Sequence, residues 1–445
     1  MKIMTSEIQK GIRASKTLQS AARITQAPKS TKWACVSALT IIAVLVISAG
    51  AAAQNVPDEA RPPAKYKTFD APGAGTGSGQ GTLPISINPA GTITGLTRDA
   101  NLVRHGFLRD KHGNIIVFDD ADAGTGSGQG TRGYAINPKG TITGYYTDSN
   151  EVNHSYMRTP DGTITNFDAP DAGTGAGQGT FAWGDDNINP SGAITGFYVD
   201  SNNGDHGFLR APDGTITEFD APRGAGGTGG FGINPAGAIT GDDCGPTKCY
   251  AFLRSPKGHF TRFAVHGAVD GTFPEYINAA GWITGAWTDA SGANHGFLRD
   301  PKGKITKFDP AGAGKGSLQG TTPWSINDDG VISGQYIDTN GVYHGFVRTP
   351  DGKITTYDVP GAGTGSGQGT QPSVINNPGA ITGDYIDASG VFHGFLAKGL
   401  SDLQYSDIPP EAGGTFNDQG PVNGLGPTTA VPRAATRRPS ATLPE

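Results

Sequence analysis

The chain has 445 residues, of which 70 are Gly and 31 Pro, and only 17% are charged. Its formal net charge is −6, and taking away the first 53 residues removes seven basic residues and one acid, leaving −12. That balance argues against nucleic acid, whose phosphates demand a basic face, and the periodic Gly argues for turns rather than disorder.

The N-terminal segment reads as a signal peptide over residues 1–53. Lys2, Lys10, Arg13, Lys16, Arg23, Lys29 and Lys32 precede an apolar run over 36–50, which ends in Ala51-Ala52-Ala53. A basic region, an apolar core and an A-x-A site predict export and cleavage after Ala53. An uncleaved anchor is the competing reading, but the run is short for a span of about 20 residues. The mature chain is then expected in the periplasm or outside the cell, with no stable membrane span. Residues 54–64 read as a linker.

From residue 65 the sequence repeats itself. H-G-F-L-R or a relative begins at His105, His154, His206, Tyr250, His295, His344 and His393. Each copy lies within one longer pattern: I-N-P-x-G, I-T-G, D-x-x-G, H-G-F-L-R, P-D-G, T-I-T-x-F-D-A-P, then a glycine string such as 73–82, GAGTGSGQGT. Asn137-Pro138-Lys139-Gly140 is a type I turn signal joining a strand that ends at Ile136 to one that starts at Thr141. Asp338-Thr339-Asn340-Gly341 joins Ile332–Ile337 to Tyr343–Arg348, and Thr349-Pro350-Asp351-Gly352 leads into a strand over 353–358. Each repeat therefore predicts four short strands, A to D, and three tight turns. Only the glycine string is long enough to cross between sheets.

In the D strand Thr163-Ile164-Thr165-Asn166-Phe167, Ile164 and Phe167 point to opposite faces. A sheet packed on both sides needs that. The prediction over 65–409 is an all-β fold, a seven-bladed β-propeller of four-stranded antiparallel blades. A parallel β-helix is the alternative, but its coils are usually shorter and lack three hairpin turns. Lys65 to Pro72 copies strand D with no A, B or C before it, so 66–70 is expected to complete the last blade beside 393–397, leaving 403–409 peripheral. Residues 410–445, rich in Pro, Gly, Thr and Ala, read as a disordered tail.

These strings resemble the bacterial "probable extracellular repeat, HAF family", named for a His-Ala-Phe motif that here reads His105-Gly106-Phe107 or His295-Gly296-Phe297. The resemblance covers about 66–409. It implies export and a repeat fold, and it brings no catalytic residues.

The candidate chemistry is sparse. The glycine strings lack the following helix and Lys-Ser/Thr of phosphate loops. The six histidines, on the third strand, are expected to lie far apart and to close the preceding D-x-x-G turns rather than share a metal. The turn aspartates lack D-x-D-x-D-G spacing. No metal, cofactor or catalytic residue is assigned. Cys244 and Cys249 are expected to form a local disulfide. Positions that break the repeat are the ligand-site candidates: Trp183, Asp185 and Asp186, in a segment two residues longer than its siblings, and His266, Asp270 and Glu275, where the glycine string is replaced. All six are expected near the start of strand A, at the central channel. Glycan or protein ligands suit such an aromatic-and-carboxylate set, and a monomer is expected. Paired carboxylates also leave open hydrolase or lyase chemistry at the channel mouth.

Overall fold

The computed structural model describes residues 65–222 and 226–400. The signal, the linker, 403–409 and the tail lie outside them. Among the described residues there are 28 strands and no helix, hydrogen-bonded into one sheet. Within each repeat the pattern pairs antiparallel, neighbour to neighbour. In the first, Gly81–Ile87 pairs with Ile93–Arg98, that with Arg104–Arg109, and that with Ile115–Phe118. A single parallel bridge, Arg104 to Gly130, ties the third strand to the first strand of the next repeat. The expected closure is present: Lys65–Phe69 pairs antiparallel with Phe392–Lys398, Tyr66 opposite Ala397 and Phe69 opposite Gly394.

The recurrent strings have packing causes. The isoleucine of I-T-G, from Ile93 through Ile381, is fully buried. In five repeats the threonine hydroxyl donates to the carbonyl of the buried aromatic on strand C, as in Thr94 to Phe107 at 2.9 Å, while Thr143 donates to Asn187 Oδ1 instead. The glycine permits close approach: a Cβ on Gly144 would stand 1.9 Å from the Arg132 carbonyl. The aromatic itself, Phe107 or Tyr156 and their equivalents, is wholly buried.

The glycine string is built around its glutamine. Gln80 Oε1 accepts the Gly77 amide at 2.7 Å, while Nε2 donates to the Ala100 carbonyl on the adjacent B–C turn. A Cβ on Gly75 would lie 2.4 Å from that Oε1. The crossover is thus a compact loop pinned to the turn beside it, not a flexible link.

Neighbouring repeats are stapled by arginine on aromatic. Arg109 lies over Phe69, Arg158 over Phe118, Arg210 over Phe167, Arg254 over Phe219, Arg299 over Phe263 and Arg348 over Phe308, at 4.7–5.0 Å. In the last repeat Ala397 stands in that column, and Tyr357 packs with Ala397, Leu400 and Tyr66 instead.

Cys244 and Cys249, directly opposite on one hairpin, are disulfide-bonded with Cα atoms 4.0 Å apart. The histidines stay local as expected, but with a different main partner. Nδ1 meets the aspartate ending strand D, as in His105 with Asp119 at 2.8 Å and His154 with Asp168 at 2.7 Å. The turn aspartate stands farther off, 3.9 Å for Asp99 and 3.3 Å for Asp289 with His295. The turn closes itself, Asp99 Oδ1 accepting the Asn101 and Val103 amides.

Candidate functional site

The asparagines of the I-N string converge into a closed ring. Asn88 Nδ2 donates to the Asn137 carbonyl, Asn137 to Asn189, Asn189 to Asn234, Asn234 to Asn278, Asn278 to Asn327, Asn327 to Asn376, and Asn376 back to Asn88. Each Oδ1 accepts an amide four residues on, as Asn88 does from Thr92 at 3.0 Å. All seven are buried. The amide fits because each side chain offers both a donor and an acceptor at the same turn.

This ring surrounds a cavity of about 130 Å³, to which Pro89, Pro138, Pro190 and Pro235 of the A–B turns also contribute. Asp185, Asp186, Tyr276 and Asp328 line it too. The longer segment of the third repeat carries the two acids inward. Asp186 accepts the Ile233 amide at its carbonyl, and the Ser86 hydroxyl donates to the Asp185 carbonyl across the ring at 3.2 Å. Tyr276 fills a column that elsewhere holds Ser86, Ala135, Asn187, Gly232, Ser325 or Val374.

The acids are perturbed. Both keep some accessible surface, which faces a narrow cavity, so burial among protein atoms still governs them. Burial alone pushes Asp185 up to about 7. Asp186 is held well above the carboxylate range by burial and then by Asp328, with a hydrogen bond from Tyr276 opposing the shift. Tyr276 is raised in turn, by burial and then by Asp186 and Asp328. Among the described residues no Lys, Arg or His lines this cavity. Asp328, at the cavity wall, is held by its own bonds, Oδ1 accepting the Ala279 amide and Oδ2 the Asn377 amide group.

The six expected residues do not form one site. Only Asp185 and Asp186 reach the cavity. Trp183 is half-buried and packs edge-on to Tyr134, Phe197 and Phe231. Glu275 occupies the bulge of its strand between Pro274 and Tyr276. His266 and Asp270 belong to the crossover: the Asp270 carbonyl accepts the Cys249 amide, and the His266 carbonyl accepts Lys307 Nζ. The replaced glycine string thus puts His266 and Asp270 on the crossover, and neither is among the residues that line the cavity.

No protein-family model matches the chain, and no curated protein matches it. Solved structures do. A streptogramin B lyase aligns over 75% of this chain and 98% of its own, at 15% identity and a TM-score of 0.50. Virginiamycin B lyase from Staphylococcus aureus aligns over 75% and 99%, at 15% identity and 0.48. The BP39L lectin from Burkholderia pseudomallei aligns over 68% and 91%, at 9% identity and 0.46. The first of these defines the class: the described chain has a β-propeller-like fold. At such identity the likeness speaks to fold alone.

Proposed function

We propose that the chain is an exported seven-bladed β-propeller, with four strands to a blade, acting as a binding module whose ligand enters the axial cavity. The observation that carries the binding site is the convergence of Asp185, Asp186 and Tyr276 on one cavity inside the asparagine ring. The count of seven is supported by seven ring asparagines, and the four-strand blade by the pairing order within each repeat. The basic, apolar and A-x-A segments at 1–53 and the local disulfide support export. The resemblance to the HAF repeat family agrees with both. Small polar groups of a glycan or peptide, rich in hydrogen-bond donors, suit a cavity with carboxyl acceptors and no cationic side chain.

A second reading, a hydrolase or lyase, is favoured by one observation. Asp185 and Asp186 line one cavity, and burial there raises Asp185 to about 7, where a group exchanges protons most usefully in neutral solution. A glycan and peptide array probed with the protein and with Asp185→Asn and Asp186→Asn tests both. Ligands retained by the protein and lost by the variants support the binding site. Turnover of such a ligand that disappears with Asp185→Asn while binding persists selects the enzyme. Binding indifferent to both substitutions rejects the axial site.

A further inference from the structure

A second site lies on the rim of the third repeat, away from the axial cavity. Its basis is a place that two sibling repeats fill with their own cation. In the fifth repeat Lys307, opposite Phe297, sends Nζ to 4.3 Å from the Trp287 ring centroid and donates to the His266 carbonyl of the crossover. Trp287 stacks on His295 at 4.5 Å. In the fourth repeat Arg262, opposite Phe252, lies 3.6 Å from the Tyr250 centroid and bonds Asp243 at 2.9 Å. In both repeats this register sets a cation against an aromatic ring and an oxygen atom, although the ring comes from the second strand in the fifth repeat and from the third strand, at the histidine position, in the fourth.

The third repeat keeps the walls and changes the occupant. Tyr198 is buried and stacks on His206 at 5.0 Å, as Trp287 does on His295. Opposite Phe208 stands Glu218 instead of a cation. The crossover position of Gly267 is taken by Asp171, whose amide donates to Glu218 Oε1 at 3.0 Å. Asp171, Asp200, Glu218 and Asp220, with Tyr198 and His206, line an open depression of about 520 Å³. Of the four carboxylates, Asp220 bonds His206 Nδ1 at 2.9 Å and Asp200 stands 3.7 Å from its Nε2, so Glu218 and Asp171 are the acids left to face the place where the siblings put positive charge. The Tyr198 hydroxyl is raised by burial first, then by Glu218, Asp220 and Asp171.

We propose that this depression binds a primary ammonium group from outside the chain, the lysyl-type cation that Lys307 supplies in cis two repeats later. Carboxylates provide charge-assisted acceptors, Tyr198 the aromatic wall, and Glu218 the residue that distinguishes this repeat. The ammonium can come from a free diamine or from a lysine in a peptide, and the two are separated by the probe.

The test is calorimetric titration of the full chain in low salt with cadaverine and, separately, with acetyl-Gly-Lys-Gly-amide. The expected result is one saturable site for at least one probe, with 1-pentanol giving none. Glu218→Lys places an ammonium in the slot as Lys307 does, and weakens binding at least tenfold. Lys307→Glu opens the fifth-repeat slot and raises the stoichiometry to two. Glu218→Thr, the residue of the sixth repeat at Thr356, serves if the lysine variant melts early, and weakens binding in the same direction. Asp185→Asn leaves binding unchanged, which separates this site from the axial one. No binding of either probe, or binding unchanged by both Glu218 substitutions, overturns the proposal.

Discussion

Asn376 donates its side-chain amide to the main-chain carbonyl of Asn88, 288 residues earlier, at 2.9 Å. That bond closes a circuit in which every asparagine is both donor to the next repeat and acceptor from its own turn. Asn278→Ala removes two buried hydrogen bonds and leaves the Asn327 carbonyl with one donor fewer. A loss of about 1–3 kcal/mol follows. Urea unfolding checks it, and an unchanged midpoint contradicts the ring's role.

The arginine staples predict a second loss. Arg299 lies over Phe263 at 4.7 Å, and burial lowers its pKa from the ordinary guanidinium value. Arg299→Ala deletes ring contact and buried stem together and costs about 2 kcal/mol. Arg299→Lys keeps the charge but not the planar stacking and recovers only part. Thermal melts of the two variants rank them, and equal melting points contradict stacking as the cause.

Acid titration gives a third expectation. Asp185 is raised from its ordinary value of 3.8 to about 7, so the folded protein holds a proton that the unfolded chain releases near pH 4. Stability from this group is therefore present below pH 4 and falls as pH rises to about 7, by roughly 1.4 kcal/mol per unit. Asp185→Asn removes that slope and is more stable than the parent at pH 8. Equal slopes over pH 4–7 contradict the assignment.

The histidines add a separate dependence. His295 is raised above its ordinary 6.5 by bonds to Asp309 and Asp289, against burial, and His206 by its bond to Asp220. A raised histidine contributes fully below the unfolded value and loses its contribution as pH climbs through the folded one. His295→Gln is thus more damaging at pH 5.5 than at pH 9. A difference of the opposite sign refutes the ion-pair account.

The hairpin disulfide closes a short loop. Replacing Cys244 and Cys249 with serine costs about 2 kcal/mol on the chain-entropy estimate. Non-reducing mass analysis shows the bond, and denaturant midpoints with and without a dithiol give its contribution.

Much of this fold was legible because each repeat restates it. The strands at Ile332–Ile337 and Tyr343–Arg348 lie where the turn signals put them, and the surplus strand-D copy at the N-terminus pairs beside His393. What the asparagines do was not legible, since their bonds run between repeats, 44–52 residues apart and 288 at the closure, and local spacing sees only the turn. Asp185 and Asp186 stood out by breaking register. The same criterion picked His266 and Asp270, whose break lies on the rim. Tyr276 keeps the spacing of the repeat although it is the largest side chain of its column, and Glu218 stands in a column that varies from repeat to repeat, so neither breaks the pattern.

The strand Lys65–Phe69 is made first and used last. Asp70 meets His393 across 323 residues, so during vectorial synthesis the outer strand of the final repeat waits, unpaired, until the rest of the chain has emerged. Cooperative folding is then a property of the finished polypeptide, slow for its size because the decisive contact is also among the most distant. A chain ending before His393 leaves Lys65–Phe69 as an exposed edge where a second copy can pair, which makes Phe392–Lys398 the checkpoint between closure and aggregation.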